Sequence, residues 1–568
     1  MKNKEIAALF SKIADALEIK GEVGFKVLAY RKAARILEDL AEDIEAVARE
    51  KKLQEIPGVG SGIAAKIEEY IQTGKMKKYQ EALSGIPETL LDLLEIPNMG
   101  AKTIHLAHQE LGVKNLADLK NVIADGSLAS LFGMGEKKVE NIRKGIELLE
   151  KAHERISLGE AAAVADEVID YLRGAPGLGQ ISTAGSLRRM RETVGDIDIL
   201  ASGKDGASII RYFTRYPKIK RVLAEGVTKG SAIIAAETGE RQVDLRIVAE
   251  SEFGAALQYF TGSKAHNIKL RGMAKDKGLK ISEYGVFRGE KKIAGRTEEE
   301  VYAALGLPFI PAELREDRGE IELALGGRLP YVVEARDIKG DLHVHSDWSD
   351  GYVGLAELAE LGRRLNYDYI AVCDHSEAAR YARGLTPEQL HRQIKEVEKI
   401  NQRSKGFRLL AGVEADILGD GRVDCPDELL AKLDVVVASI HSGFKKNVTA
   451  RILKAVENPH VDIIGHPSGR LISGREGYDV DLDAVLEGAR RTGTAVELNA
   501  FYDRLDLNEF YLKKAKDMGL KIALGTDTHH AAGLQMMRFG VGIARRAWLE
   551  KKDILNCLTL SRLQKKLK

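Results

Sequence analysis

The chain has 568 residues, a length that predicts about four domains because a single hydrophobic core rarely grows beyond roughly 300 residues. Its 86 Lys and Arg residues are matched by 85 Asp and Glu residues, which excludes binding to nucleic acid through a globally basic surface and requires any phosphate-binding surface to be local. The cysteines Cys373, Cys425 and Cys557 lie far apart with no CxxC pair, which argues against a disulfide framework or a thiolate zinc site and leaves His and carboxylates as metal ligands.

The N-terminal segment, MKNKEIAALFSKIADALEIKGE, lacks the apolar stretch of a secretory signal. No apolar run in the chain approaches the roughly 18 residues that a membrane span needs. We therefore expect a cytoplasmic protein that is monomeric and has no membrane partner.

Residues 1–150 have apolar positions at helical spacing and contain a degenerate repeat. The three copies, LQEIPGVGSGIAAKI, LLEIPNMGAKTIHLA and LASLFGMGEKKVENI, begin at Leu53, Leu93 and Leu128. Each copy has a tight turn that ends in glycine before a helix, and the turn glycines are Gly58, Gly60, Gly100 and Gly135. Free backbone N–H groups at the positive end of a helix dipole bind phosphate without reading sequence. The copies resemble helix-hairpin-helix modules, which implies binding to the DNA backbone; the alternative is that the turns merely connect helices.

Two N-terminal segments, FKVLAYRKAARIL and IPGVGSGIAAKIEEYIQTGKMKK, resemble the small domain of DNA polymerase beta that removes 5′-deoxyribose phosphate. That chemistry needs a lysine that forms a Schiff base with the sugar aldehyde. The resemblance implies that Lys66 is this lysine and that Lys26, Tyr30 and Lys78 support it at the DNA. Gly62 stands where the family has a phosphate-binding lysine, and a plain DNA-contacting role for Lys66 is the alternative.

From about Ile181 the pattern changes to short strands, and AGSLRRMRETVGDIDIL places Asp196 and Asp198 two residues apart. On a strand this spacing puts both carboxylates on one face. They repel each other unless a divalent cation lies between them, and the segment QVDLRIV adds Asp244. Three carboxylates on adjacent strands can bind two metal ions for phosphoryl or nucleotidyl transfer. For two isolated aspartates, an exposed strand face is the alternative.

The segment GSLRRMRETVGDIDIL resembles the palm motif of DNA polymerase beta, and the resemblance to family X extends over about residues 20–300. It implies a nucleotidyltransferase that uses dNTP, with Mg²⁺ or Mn²⁺ bound by Asp196, Asp198 and Asp244. The residues that match the family's triphosphate ligands are Ser186, Arg189 and Gly195. By the same resemblance Asp244 accepts the proton of the primer 3′-OH, and Gln242 stands where the family has an arginine that orients this aspartate.

The segment ALQYFTGSKAHNIKLRGMAKDKG resembles the thumb of the same family, which contacts the incoming nucleotide. The positions that match its nucleotide-binding region are Tyr259, Phe260, Gly262, Lys264, Asn267 and Arg271. The resemblance implies that Tyr259 and Phe260 line the sugar and resist ribonucleotides. It also implies that Asn267 and Arg271 read the minor groove of the new base pair. Lys264 stands where the vertebrate enzyme has an acidic residue, which predicts stronger or less template-dependent dNTP binding.

Residues 311–337 are charged and interrupted by Gly and Pro, which predicts a linker. After Asp341, apolar runs alternate with helical stretches, as in a βα array. His and carboxylate residues follow almost every run, and in a parallel βα barrel the carboxyl ends of the strands meet at one rim. These residues, all of types that bind Zn²⁺, Mn²⁺ or Fe²⁺, are His343, His345, Asp350, His375, Glu414, His441, His466, Asp527 and His529.

This region, with the motifs DLHVHSDWSDG, AVCDHS, AGVEADI, VASIHSG, IIGHPSG and GTDTHH, resembles the PHP (polymerase and histidinol phosphatase) domain. The resemblance implies a distorted seven-stranded (βα) barrel with a cleft for three metal ions. The implied ligands are His343, His345, Glu414 and Asp527 for one ion, Asp350, His375 and His529 for a second, and Glu414, His441 and His466 for a third. Every ligand of the family is present, which implies catalysis.

The sequence thus predicts a multidomain α/β protein. Its segments are a lyase-like helical domain with helix-hairpin-helix (1–84), a fingers-type helix-hairpin-helix domain (85–156), a nucleotidyltransferase α+β palm (157–250), a thumb (251–318), a linker (319–337) and a PHP barrel (338–568). We expect a DNA polymerase that fills short gaps in base excision repair, with a 3′–5′ exonuclease or AP endonuclease in the barrel. Gapped, 5′-phosphorylated and abasic DNA are the expected partners. The alternatives are a nucleotidyltransferase on RNA or a small molecule with a phosphatase, and a non-catalytic scaffold that binds DNA ends.

Overall fold

A computed structural model describes residues 2–22, 25–38, 44–49, 51–56, 59–96 and 99–567 of the chain. The chain forms two compact units, Met1–Glu154 and Arg155–Lys568. None of the helices in these described ranges combines the length and the apolar character that a membrane span requires.

The first unit is built from α-helices around one hydrophobic core. The helices are α1 (Lys2–Ile19), α2 (Phe25–Glu38), α3 (Ile44–Arg49), α4 (Ser61–Thr73), α5 (Lys77–Leu83), α6 (Thr89–Asp92), α7 (Ala101–Leu111), α8 (Leu116–Ala124), α9 (Ser127–Ser130) and α10 (Glu136–Glu154). The apolar face of α1, with Ile6, Phe10 and Ile13, is fully buried in this core together with Leu90 and Ile104. The helical spacing of apolar residues in the sequence is therefore the spacing of the buried face.

The three predicted glycine turns share one geometry. In each copy the residue before the glycine is buried, and its N–H donates to the carbonyl three residues earlier at 3.0 Å; these residues are Val59, Met99 and Met134. The glycines Gly60, Gly100 and Gly135 are exposed, and their carbonyls accept the first hydrogen bonds of α4, α7 and α10. The turns thus present helix N-termini to solvent, as a phosphate-binding hairpin requires. Gly58 lies outside the described residues.

The palm is a five-stranded sheet with the order β2-β4-β7-β6-β5. Its elements are β1 (Ile156–Ser157), α11 (Leu158–Leu172), β2 (Leu178–Thr183), α12 (Gly185–Arg188), β3 (Thr193–Val194), β4 (Ile197–Gly203), α13 (Gly206–Phe213), β5 (Ile219–Glu225), β6 (Lys229–Ala236) and β7 (Gly239–Val248). The central strands β4 and β7 run parallel, and their register pairs Asp198 with Asp244. Ile197 and Ile199 are buried on the opposite face, which is the alternation that the segment DIDIL predicts.

The thumb packs helices against a small antiparallel sheet with the order β10-β9-β8. Its elements are α14 (Phe253–Thr261), α15 (Lys264–Asp276), β8 (Lys280–Ser282), β9 (Gly285–Arg288), β10 (Lys291–Ala294), α16 (Glu298–Ala304) and α17 (Glu320–Leu325). Leu270, Tyr302 and Ile321 are buried in its core. Helix α17 therefore belongs to the packed thumb, although its sequence falls in the predicted linker.

The segment predicted as a linker is folded, and residues in it bond to the thumb and to the end of the barrel. Glu320 is fully buried, and its Oε1 lies 2.6 Å from Nδ1 of His266 in the thumb. Val333 is fully buried and donates its N–H to the carbonyl of Leu549 at 2.9 Å. Some of the polar groups that indicated a solvated tether instead bond to distant segments, which composition cannot reveal. The exact boundaries at 319 and 337 remain predictions.

The barrel is a seven-stranded parallel sheet whose strands follow chain order from β11 to β17. Its elements are β11 (Gly340–Val344), α18 (Leu355–Arg364), β12 (Tyr369–Val372), α19 (Pro387–Arg403), β13 (Arg408–Asp416), α20 (Asp427–Leu430), β14 (Val435–Ser439), α21 (Val448–Val456), β15 (Ile463–Ile464), α22 (Leu482–Thr492), β16 (Ala495–Asn499), α23 (Glu509–Asp517), β17 (Ile522–Gly525), α24 (Met537–Arg546) and α25 (Leu560–Leu563). A parallel bridge between Val344 and Thr528 brings the last strand back to the first. The predicted distorted (βα)₇ barrel is confirmed.

The palm and the barrel share one hydrophobic core. A single buried cluster includes Val168 and Leu245 of the palm with Leu486 and Ile543 of the barrel. At the contact, Gly159 of α11 lies directly against the ring of Tyr502. A Cβ on Gly159 would come within 2.3 Å of the Tyr502 Cγ, so the position has no room for a side chain. The two parts are therefore packed together and are not independent cores on a tether, as the linker prediction had implied.

The shared core predicts that the palm and the barrel unfold together. Gly159→Ala should destabilise them by about 1–3 kcal/mol, because the added methyl group must displace the Tyr502 ring. Gly272→Ala on α15 is the matched control, since a Cβ there meets no heavy atom within 4 Å and Ala in a helix is more stable than Gly by roughly 0.5–1 kcal/mol. Calorimetric unfolding checks both, and separate transitions for palm and barrel would contradict the shared core.

Candidate metal centres

The three palm aspartates follow the turn at Gly185 and Ser186 in the chain. Asp198 and Asp244 are direct neighbours on β4 and β7, and Asp196 lies exposed just before β4. Gly185 has a φ of +59°, and a Cβ there would come within 2.2 Å of Asp198 Oδ2, so only glycine allows this approach. Burial, followed by the charges of Asp244 and Asp196, raises the pKa of Asp198 to about 6. Divalent ions would remove this repulsion, so the residues fit the predicted site.

Asp244 is held by three donors from its own sheet. Ser231 Oγ lies 2.5 Å and Gln242 Nε2 lies 3.1 Å from its Oδ1, and Lys229 Nζ lies 2.8 Å from its Oδ2. Burial by itself would raise the pKa of Asp244, but hydrogen bonds from Lys229, Ser231 and Gln242 lower it. Gln242 thus orients the carboxylate and Lys229 supplies the charge that an arginine was expected to supply. Sequence analysis missed Lys229, whose signal is its place at the start of the strand next to β7.

The predicted triphosphate ligands lie in the single turn of α12 or follow it in the chain. Ser186 is half-buried in this turn, and Gly195 lies between β3 and β4. Arg189 donates from Nη1 to the Thr261 carbonyl at 2.7 Å and from Nε to Glu316 at 3.0 Å. Arg189 is therefore close to the predicted position but paired with the thumb, and its binding to triphosphate remains a prediction.

Tyr259 and Phe260, the aromatic pair that is predicted to line the sugar, lie in the last turn of helix α14. The rings of Tyr259 and Phe260 meet edge to face at 5.2 Å, and the Arg246 guanidinium lies over Phe260 at 4.7 Å. A small cavity of about 180 Å³ lies between this aromatic ring and the palm acids, with Asp198 and Asp244 in its lining. The structure therefore brings Phe260 and the carboxylates to one cavity.

Asn267 has a different environment from the one predicted. It is buried, and its Nδ2 donates to the carbonyls of Tyr259 at 2.7 Å and Gly262 at 3.1 Å. Its amide fixes the turn between the two thumb helices. No sequence pattern indicated this role, because the direction of a side chain is not local information. Lys264 and Arg271, in contrast, are exposed on α15.

In the first unit, Tyr30 lies close to Lys66, the predicted Schiff-base lysine. The Nζ of Lys66 lies 2.7 Å from the Gly62 carbonyl and 5.9 Å from the centroid of the Tyr30 ring. Burial raises the pKa of Tyr30, and the charge of Lys78 acts against that shift. Lys26 and Lys78 each pair with a nearby glutamate, at 3.6 and 3.2 Å. A Cβ on Gly62 would lie 4.0 Å from Lys66 Nζ, so this position has room for a side chain.

All nine residues predicted as ligands in the barrel converge at one rim. In the described residues, three sets each have ligand atoms that lie within 4.8 Å of the other atoms of the same set. The sets are His345, Asp350, His375 and His529; His343, His345 and Asp527; and His375, Glu414 and His441. His466 joins the third set, with Nε2 at 2.9 Å from Glu414 Oε1. Compared with the predicted grouping, His345 and His375 each belong to two sets, so the assignment of ligands to ions remains a prediction.

Several ligand atoms are buried and make no hydrogen bond of good geometry, although some lie about 3 Å from an atom of another ligand. They are His343 Nε2, both ring nitrogens of His345, His375 Nδ1, Glu414 Oε2 and His466 Nδ1. An unpartnered buried polar atom costs about 1–3 kcal/mol, so the barrel needs groups that bind these atoms. Burial, followed by the charges of His529 and His375, lowers the pKa of His345 to about 3, which keeps its ring neutral as a metal ligand must be. The donor set therefore fits divalent ions such as Zn²⁺, Mn²⁺ or Fe²⁺.

Three carboxylates that sequence analysis missed hold the ligands in place. Glu497 Oε1 lies 2.7 Å from His343 Nδ1, and Asp416 Oδ1 lies 2.6 Å from His441 Nδ1. Such carboxylates fix the orientation of a metal-binding ring. Asp341 bonds Thr526 Oγ1 at 2.5 Å and thereby joins β11 to the end of β17. Both ring partners had a readable signal: Asp416 follows Glu414 by two residues on one strand face, and Glu497 lies in β16, the strand for which no ligand was predicted.

Arg504 is a further residue that the motifs did not indicate. It follows β16, and its Nε lies 3.4 Å from Asp527 Oδ2. Its Nη1 is buried without a hydrogen-bond partner. Burial by itself would lower the pKa of Arg504, but the charges of Asp527 and Glu414 raise it. A cation at this position can neutralise an anionic substrate beside the ligand cluster.

Family models match four segments of the chain. The family model of the DNA polymerase beta thumb matches residues 256–316, and that of the PHP domain matches residues 341–501. A helix-hairpin-helix domain matches residues 1–76, and a SAM-like helix-hairpin-helix tandem matches residues 90–148.

Known relatives cover the whole chain or its parts. The DNA polymerase lambda of Rattus norvegicus is 27% identical over 343 residues, which cover 55% of this chain and 56% of that relative. A probable phosphatase of Thermoanaerobacter sp. (strain X514) is 29% identical over 231 residues, 38% of this chain and 89% of that protein. The DNA polymerase/3′-5′ exonuclease PolX of Bacillus subtilis (strain 168) is 41% identical over 574 residues that cover 100% of both chains. The chain therefore belongs to the PolX family, the family X DNA polymerases that carry a PHP domain.

Proposed function

We propose that the palm and thumb extend DNA primers across short gaps in cytoplasmic base excision repair, and that the barrel hydrolyses phosphodiester bonds at DNA 3′ ends or abasic sites. The observation that carries the proposal is the presence of two chemically different ligand sets in one chain. Carboxylates alone meet in the palm, as in nucleotidyl transfer, whereas histidines and carboxylates meet in the barrel. Membership of the PolX family implies DNA as the partner and divalent metals as cofactors.

In the palm, Asp196, Asp198 and Asp244 would hold two Mg²⁺ or Mn²⁺ ions. Ions bound there supply charge neutralisation at the triphosphate and at the attacking primer oxygen. Asp244 accepts the proton of the primer 3′-OH, because its three donors keep the carboxylate ionised. The turn at Gly185 and Ser186 binds triphosphate oxygens through its backbone N–H groups and hydroxyl.

Asp198→Asn should abolish dNTP incorporation, because it removes one of the two paired charges that hold the ions. We expect a loss on the order of 10³-fold or more, equivalent to several kcal/mol of transition-state stabilisation. Asp205→Asn is the control, since Asp205 is an exposed N-cap of α13 and asparagine caps a helix equally well. Primer extension on gapped DNA measures both. Extension by Asp198→Asn above about a hundredth of wild type would show that the metal site lies elsewhere.

In the barrel, three ions of the Zn²⁺, Mn²⁺ or Fe²⁺ type would activate water and neutralise the scissile phosphate. Arg504 adds a fixed positive charge beside Asp527. Tyr381 favours a nucleic-acid strand over a small phosphomonoester as the substrate. It is 67% exposed, and its ring lies 6.1 Å from the ring of His375. It is flanked by the exposed Arg380 and Arg383, and an exposed aromatic ring with neighbouring cations stacks on unpaired bases.

Glu414→Gln should eliminate hydrolysis at DNA 3′ ends while primer extension continues. Glu414 lies within 3.6 Å of ring nitrogens in five histidines of the cluster, so the loss of its charge weakens more than one ion site. The change nearly preserves volume, which protects the core that the barrel shares with the palm. The assay compares a 3′-recessed oligonucleotide with a simple phosphomonoester at equal metal loading. Wild-type turnover of the monoester alone would refute the nuclease proposal.

The first unit would bind the 5′ side of a gap and remove a 5′-deoxyribose phosphate through Lys66. The position of Lys66 beside Tyr30, with Lys26 and Lys78 in the same unit, supports this role. Gly62 stands where the family has a phosphate-binding lysine, and the space around it has room for such a side chain. The exposed glycine turns support backbone contacts that weaken steeply with salt.

Lys66→Ala should lose the adduct that borohydride traps between the protein and incised abasic DNA. Gly62→Lys should strengthen that adduct, because its side chain has room to bind the 5′-phosphate next to Lys66. Gel analysis of trapped adducts, at equal DNA binding, makes the measurement. An undiminished adduct with Lys66→Ala would assign the chemistry to another lysine.

A further inference from the structure

One segment of the palm carries predicted nucleotide ligands and also contacts the barrel. Residues 186–194, which we call the palm turn, follow Gly185 and carry the predicted triphosphate ligands Ser186 and Arg189. The barrel contacts this segment at several points, and two of them are arginine side chains. The barrel therefore touches the part of the palm that is predicted to bind the nucleotide.

The first contact is a two-pronged ion pair between Glu192 and Arg470. Nη1 lies 3.0 Å and Nη2 lies 2.6 Å from the two carboxylate oxygens, and the side chains are only 25% and 19% exposed. Arg470 also donates to the backbone carbonyls of Arg504, at 2.9 Å, and Leu505. One guanidinium thus joins the palm turn to the loop from which Arg504 reaches the ligand cluster.

On the barrel side, the segments around Arg470 carry groups of the ligand cluster. His466 lies four residues before Arg470 and is 2.9 Å from Glu414. Arg504 lies 3.4 Å from Asp527. A shift of Arg470 would therefore move a predicted metal ligand and the Arg504 cation together.

On the palm side, the barrel holds the palm turn at a second point. Arg546 is fully buried and donates to the Arg189 carbonyl at 2.6 Å and to Glu316 at 3.0 Å. Next to it, Met190 lies so close to Gly542 that a Cβ on the glycine would come within 2.6 Å of Met190 Cγ. The palm turn therefore packs against α24 at Arg189 and Met190. The ion pair of Glu192 with Arg470 holds it at a separate point.

We propose that Glu192 and Arg470 are positioning residues that couple the two active centres. Through this pair the palm fixes the barrel segments of His466 and Arg504, and the barrel fixes the palm turn for triphosphate binding. The inference rests on the proposed polymerase and nuclease functions and adds a residue-level dependence of each on the other. Loss of one partner leaves a largely buried charge without its counter-ion, and displacement by about 1 Å can cost on the order of 10²-fold in rate.

The test is a double-mutant cycle with the full chain, using Glu192→Ala, Arg470→Ala and the double variant. We expect each single variant to slow the hydrolysis of DNA ends by the barrel, at saturating substrate, by about tenfold. We expect each to raise the KM for dNTP in primer extension by about fivefold while its kcat stays within about twofold. The double variant should be no worse than Arg470→Ala, because one interaction is removed in all three. Arg470→Lys, which keeps the charge, should recover part of both losses.

Arg538→Ala is the matched control. Arg538 and Asp166 also join the barrel to the palm, at 2.8 Å, but their side chains are 47% and 52% exposed, so both activities should stay within about twofold of wild type. Thermal unfolding and metal content are measured for every variant, and Glu192→Gln replaces Glu192→Ala if the latter does not fold. Activities within about twofold of wild type in both single variants would overturn the inference. A wild-type protein that leaves DNA ends intact would instead refute the nuclease proposal, and the KM for dNTP would still test the palm side.

Discussion

Parallel strands place ionised carboxylates in both centres of this protein, and the need to compensate their charge governs both centres. In the palm, the register of β4 and β7 aligns Asp198 with Asp244. In the barrel, parallel strands direct Glu414 and Asp527 into one cluster of histidines. A buried carboxylate stays ionised only where cations or hydrogen-bond donors face it. The other groups of each centre can be understood as ways to meet this condition.

The two centres meet that condition differently, and the difference suits their chemistry. Donors of the protein already satisfy Asp244, while burial and the charges of Asp244 and Asp196 raise the pKa of Asp198 to about 6. In the barrel, burial by itself would raise the pKa of Glu414, but the charges of His441, His375 and His343 hold it well below its usual range. Several ring nitrogens still lack partners. Both centres therefore present groups that divalent ions would satisfy.

Local periodicity predicted the parts of the structure that depend on one element at a time. The glycine turns, the aspartate pair and the ligands at the barrel rim were all readable, because a helix or strand fixes which residues share a face. Contacts between distant segments were not readable: the linker prediction missed the buried pair of Glu320 with His266, and no motif indicated Arg470 as the partner of Glu192. Asp416 lies between these cases, since its spacing from Glu414 was visible and only its partner His441 was not.

The shared core limits how a DNA end can pass between the two centres. Separate domains on a flexible linker could swing towards each other, and their contact would resemble a transient interface. Here Gly159 lies against Tyr502 and Gly542 lies against Met190, so a movement of the palm away from the barrel would have to break these close contacts. Palm and barrel are therefore packed together as one compact unit. A primer end that leaves the palm must itself travel to the barrel rim, either by separating from its template strand or by dissociating and binding again.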